Sequence, residues 1–168
     1  MILAVDVDYR NSGASIAGIT FENWTDDSEA GLFRSELFET EEYVPGQFYR
    51  RELPCILKLI EEHKIEPDII VIDGFVYLDG KTNPGLGMYL YNALNGKIPV
   101  VGVAKNPFKG IAQDCELYRG KSRKPLYVTS VGIQLDEAKK NIKSMYGNHR
   151  VPDLLKKADQ ACRDISGQ

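Results

Sequence analysis

Apolar and polar positions alternate over residues 2–8. Leu3, Val5 and Val7 fall on one face, and Ile2, Ala4, Asp6 and Asp8 on the other. That two-residue period predicts a strand. Residues 14–21 predict a second strand, reached through a short turn at Asn11-Ser12-Gly13, and residues 32–39 a third. The period then changes. Apolar residues at 53, 56, 57, 59 and 60 form a helical stripe over Leu53–Lys64, with Pro54 placed in the first turn. Ile69-Ile70-Val71-Ile72 reads as a strand buried on both faces. A helix over 85–95, strands at 100–104 and 126–129, and helices over 136–145 and 152–165 complete the chain. Three antiparallel strands followed by helix–strand alternation predict an α/β fold: a mixed sheet, antiparallel at its start and then parallel, with helices on both faces.

The 168 residues suffice for a single domain spanning 1–168, and a composition 43% hydrophobic and 27% charged excludes a disordered tail. No apolar stretch approaches membrane-spanning length, and the apolar start Met1–Val5, stopped by Asp6, does not read as a signal peptide. Cys55, Cys115 and Cys162 are too few and too scattered for a disulfide framework or a cysteine-based zinc site. They fit a reducing cytoplasm. A net charge of −3 counts against a coat protein for nucleic acid but leaves an enzyme acting on nucleic acid open.

The carboxylates carry the chemistry. Asp6 lies on the first strand, and Asp73 ends the run Ile69–Ile72, where ligands of α/β sheets bind. Glu52 stands at the start of a helix. Asp159 falls at the edge of the apolar stripe formed by Leu154, Leu155, Ala158 and Cys162. Four converging carboxylates repel one another unless a cation joins them. Mg²⁺ suits such a set because it takes oxygen ligands and keeps waters for a substrate phosphate. Arg119-Gly120-Lys121-Ser122-Arg123-Lys124 is a dense basic run suited to phosphates. His63 and His149 read as structural, and no phosphate loop of the P-loop or dinucleotide kind is present.

Several spaced motifs together resemble the endonuclease V family of the ribonuclease H-like superfamily. They are Val5-Asp6-Val7-Asp8-Tyr9; Tyr43-Val44-Pro45-Gly46 followed by Arg51-Glu52 and Pro54; Pro67-Asp68-Ile69 through Asp73-Gly74; Pro99 through Gly102-Val103-Ala104-Lys105; Arg119-Gly120-Lys121-Ser122 with Pro125-Leu126; and Val151-Pro152 with Ala158-Asp159. The resemblance implies a ribonuclease H-like sheet and a Mg²⁺-dependent endonuclease (Mn²⁺ substituting) of the deoxyinosine 3′-endonuclease type. Such an enzyme cuts DNA or RNA near deaminated bases in nucleic-acid repair. It implies Asp6, Glu52, Asp73 and Asp159 as metal ligands and catalytic residues, with Lys105 at the reacting phosphate. Tyr43, Val44, Pro45 and Gly46 would form a wedge, and Arg119 and Lys121 would contact substrate. The partner would be nucleic acid, not membrane, and the protein a cytoplasmic monomer.

The sequence departs from the family at three places. Asn83-Pro84-Gly85 stands where the family has His-Pro-Arg, and Gly132-Ile133-Gln134 where it has Gly-His-Arg. The chain also starts at the first strand, without the helical segment common in bacterial members. The lost His and Arg give weight to a structure-selective nuclease that does not read inosine. A non-cleaving nucleic-acid-binding relative is opposed by the retained carboxylates, and a sugar-kinase-like ATPase fragment by the missing glycine-rich segment.

Overall fold

The computed structural model describes residues 1–11, 13–39, 44–45, 47 and 49–164. Seven strands form one sheet: β1 (Ile2–Arg10), β2 (Gly13–Phe21), β3 (Gly31–Leu37), β4 (Ile69–Asp73), β5 (Val100–Ala104), β6 (Glu116–Leu117) and β7 (Leu126–Val131), in the spatial order β3-β2-β1-β4-β5-β7-β6. Four α-helices accompany it: α1 (Tyr49–Glu62), α2 (Leu86–Ala93), α3 (Leu135–Ser144) and α4 (Asp153–Arg163). Strands β1, β2 and β3 form the antiparallel start, and β4 and β5 continue parallel to β1.

Helices cover both faces. Leu3, Val5, Ile70 and Ile72 pack with Ile56 and Leu59 of α1 and Leu90 of α2. Ile2, Ala4, Val71 and Val103 pack with Ile142 of α3 and with Leu154 and Ala158 of α4. The alternation within β1 therefore separates two buried faces rather than an inside from an outside. For this reason the first four residues of β1 are all apolar and all buried.

The structure adds two features to the predicted fold and corrects one boundary. The parallel half ends at β5, because β7 runs antiparallel to it. The 105–124 connection contains no crossover α-helix, only a 3₁₀ turn and the two-residue strand β6, which the sequence did not announce. Helix α1 starts one turn earlier than predicted, so Pro54 lies inside it and Glu52 lies in its first turn. Lacking an N–H, Pro54 leaves the Arg50 carbonyl without its helical donor, but that loss falls near the helix end, where it is tolerated.

The chain leaves β4 through Gly74-Phe75-Val76, and one buried hydrogen bond fixes that exit. The Val76 amide donates to Thr129 Oγ1 at 2.8 Å, and Thr129 on β7 is 1% exposed. Thr129→Val removes the acceptor and leaves the amide unpaired. The variant should lose about 1–3 kcal/mol in urea unfolding, while Thr129→Ser should recover most of that loss.

Candidate metal centre

Pairing between β1 and β4 stops at Val5↔Ile72, while pairing between β1 and β2 continues to Arg10↔Gly13. The sheet forks there. Asp6 and Asp73 are the next residues on the two prongs, and alternation turns both toward the α4 face. Asp159 meets them from α4, which packs its buried Leu154, Ala158, Ala161 and Cys162 toward the sheet. The ligand atoms of Asp6, Asp159 and Cys162 lie within 4.8 Å of one another. Glu52 approaches from α1, on the other side of the sheet, and feels the charges of both Asp73 and Asp6.

The electrostatics follow from this crowding. Burial pushes the Asp6 carboxyl up to about 7, aided by repulsion from Asp73 and Asp159 and opposed by the Val7 amide, which donates to Asp6 Oδ1 at 2.9 Å. Burial likewise pushes Glu52 up to about 8, with Asp73 and Asp6 adding to it. Asp73 is exposed at the rim, yet the protein surrounding its carboxylate raises it too, against the pull of Lys105. Arg163 Nε donates to Asp159 Oδ1 at 2.9 Å, an i,i+4 pair. Lys105, Arg163 and, beside Glu52, Arg51 thus face four carboxylates.

A small cavity of about 30 Å³ lies among Asp6, Asp73, Lys105, Leu126 and Val151, enough for about one water. The donors at this centre are carboxylate oxygens. Burial holds the Cys162 thiol up at about 12, and its hydrogen is engaged by the Asp159 carbonyl at 3.1 Å, so sulfur is not offered as a ligand. An all-oxygen, under-neutralised set fits a hard divalent cation such as Mg²⁺.

The structure thus brings together Asp6, Glu52, Asp73, Lys105 and Asp159. It does not bring Arg119 to them. Arg119 is 5% exposed, and its guanidinium donates to the carbonyls of Met145, Gly147, His149 and Arg150. Lys121 is exposed beside it. Val44 and Pro45 are exposed, while Tyr43 and Gly46 lie outside the described residues.

Sequence reasoning overlooked two features beside the carboxylates. The Arg51 guanidinium sits 3.9 Å above the Tyr9 ring, and Tyr9 Oη and Arg51 Nε are buried without hydrogen-bond partners. Arg150 Nη1 donates to the carbonyls of Lys105 at 3.0 Å and Pro125 at 3.2 Å. The Asp159–Arg163 spacing was readable as a helical pair. The partners of Arg150 are main-chain carbonyls far along the chain and leave no pattern.

A mixed sheet forked between two aspartates, with a third carboxylate on the closing helix, defines the ribonuclease H-like class. The family profile for Endonuclease V matches residues 1–122. The chain belongs to the endonuclease V family. It is 32% identical over 145 residues to Endonuclease V of Streptomyces avermitilis, covering 72% of this chain and 60% of that protein. It spans 59–61% of the length of the first three curated relatives that it matches. The crystal structure of the Streptomyces avermitilis Endonuclease V superposes with a TM-score of 0.75 at 26% identity, over 96% of this chain and 79% of that one. The Ciona intestinalis Endonuclease V, crystallised with a 24mer DNA containing an inosine followed by a ribo-adenosine, shares the fold with a TM-score of 0.79 at 17% identity. That match covers 96% of this chain and 84% of that one.

The crowding makes a pH prediction for the metal-free protein. A carboxyl held near 7 in the fold and near 4 when unfolded destabilises the fold progressively as pH rises between those values. Asp6→Asn escapes this. In EDTA its stability advantage over the wild type should grow from pH 4 to pH 7 and then level off. A gain on the order of 2 kcal/mol by urea unfolding allows for partial solvent screening.

Proposed function

We propose that this chain is a metal-dependent endonuclease that hydrolyses a phosphodiester bond near a deaminated base, inosine above all, in DNA or RNA. The observation that carries the reading is the convergence of Asp6, Glu52, Asp73 and Asp159 beside Lys105. Mg²⁺ is the ion proposed, Mn²⁺ its substitute, and these four carboxylates are its proposed ligands. When bound, the ion supplies charge neutralisation for the phosphate and a bound water of lowered pKa.

The chain's own groups do the rest. The Val7 amide holds the Asp6 carboxylate in one orientation, and Arg163 does the same for Asp159. Lys105 follows β5 directly, with its carbonyl tied by Arg150, so its ammonium is aimed from a fixed strand end. There it meets the non-bridging oxygens of the phosphate, whose charge grows as water adds and the bridging oxygen leaves. Val44 and Pro45, exposed ahead of α1, are the described part of the proposed wedge that fills the gap left by an extruded base.

A second reading rests on a specific observation. Asn83-Pro84-Gly85 replaces the family's His-Pro-Arg. A structure-selective nuclease keeps the same carboxylates and changes the substrate.

The test is cleavage of labelled single- and double-stranded DNA and RNA, with and without one inosine, in Mg²⁺ or Mn²⁺. Asp6→Ala should slow inosine-dependent nicking about 100-fold or more, equivalent to about 2.7 kcal/mol of barrier. Mg²⁺ should raise the melting temperature of the wild type and not that of Asp6→Ala. Asp6-dependent cutting of undamaged branched strands selects the second reading. Absence of Asp6-dependent cutting on every substrate overturns both.

A further inference from the structure

A second concave surface lies beside the carboxylates. Residues 118–122, between β6 and β7, face the turn 147–150 between α3 and α4 and the end of α3 across a groove of about 870 Å³. Its walls are basic: Lys121 and Lys143 are exposed, and Arg150 lines the side toward the carboxylates. Arg123 and Lys124 follow immediately, both exposed. Tyr118, 52% exposed, presents an aromatic face in the same groove. The acidic neighbour, Asp153, is placed where a side chain at Gly147 would strike it. In a chain of net charge −3, this is a concentration of positive charge with an aromatic among it.

The groove is built rather than incidental. The buried Arg119 guanidinium donates to four carbonyls of residues 145–150, so the two walls share one cross-brace. Gly120 (φ 61°) passes so close to the Asn148 carbonyl that a side chain there would collide with it. Arg150 joins the groove to the metal centre. Its guanidinium binds the carbonyl of Lys105, and the next residue, Val151, lines the small cavity with Asp6 and Asp73.

We propose that this groove holds the sugar-phosphate backbone of the nucleic-acid strand flanking the cleavage point, running out past Lys105 and Arg150, with Tyr118 stacking on a base. The inference rests on the nuclease reading for its substrate and adds a binding track that the carboxylates do not provide. Cations at spacing along a groove, with an interleaved aromatic, match single-strand recognition without base readout.

The test reads binding without cleavage, by fluorescence anisotropy of a labelled single-stranded oligonucleotide in EDTA over a range of salt. Lys121→Glu with Lys143→Glu should weaken binding about 10-fold or more. The slope of log affinity against log salt should fall by about 1.4, at about 0.7 per lost phosphate contact. Lys97→Glu with Lys156→Glu makes the same charge change on exposed residues elsewhere and should leave the slope unchanged. Lys121→Gln with Lys143→Gln, checked by circular dichroism, should show the same direction with a smaller effect. Equal losses in the groove and control variants, unchanged binding in the groove variants, or no binding by the wild type would each overturn the track. Asp6-dependent cleavage with unchanged groove-variant binding overturns the track alone. Groove-dependent binding without any cleavage overturns the nuclease reading alone.

Discussion

The unfavourable proximity of four carboxylates is the constraint that the rest of the structure serves. Asp6, Glu52, Asp73 and Asp159 arrive on four different elements, and among the described residues Lys105, Arg163 and Arg51 stand against them. Such an arrangement loses folding free energy whenever the groups ionise without a cation, so it persists only because the surrounding fold is strong enough to hold it. The central strands supply that strength. Strands β1, β4 and β5 are buried under helices on both faces, and the acidic residues sit where this apolar sheet ends. The chemistry proposed for the centre is the converse of its instability, since what opposes folding without a cation is what binds one.

Much of this was legible in the residues because strands report their faces through a period of two. Asp6 follows Val5 by one position, and Asp73 follows Ile72 by one. The β1–β4 register sets Val5 against Ile72, so the two aspartates were bound to fall side by side. Asp159 was legible as a polar residue at the edge of an apolar helical stripe. Glu52 was less so. Its helix starts at Tyr49, one turn before the apolar stripe begins, and residues 49–52 carry little hydrophobic pattern to announce a helix. Its approach from the opposite face depends on α1 crossing the sheet end, which no local pattern records.

Arg119 shows the opposite limit. In sequence it is one cation in a run of four, indistinguishable from Lys121, Arg123 and Lys124. In the fold it is buried and bound to main-chain carbonyls about 30 residues away. Arginine suits this because its planar fork satisfies several carbonyls at once, which the single ammonium of lysine cannot do with the same geometry. Composition reveals a basic loop. Only the tertiary partners reveal which cation braces it and which ones face solvent.

The segment Asn83-Pro84-Gly85 is itself firmly held. Asp79 accepts hydrogen bonds from the amides of Lys81, Thr82 and Asn83, which keep its carboxyl far below the usual range. The Leu78 amide donates to the Asn83 carbonyl, and the Gly85 amide to the Val76 carbonyl. Gly85 is buried, and a side-chain carbon there would press on the Phe75 carbonyl. An arginine at that position therefore has no room without moving the main chain. The glycine is part of how this loop packs onto the exit of β4, so placing an arginine there would disturb the strand end that carries Asp73. The turn at Gly85 and the strand end at Asp73 are thus coupled through the backbone. Under the proposed nuclease reading, a change of substrate preference would be sought in the whole turn from Phe75 to Gly87 rather than in a single side chain.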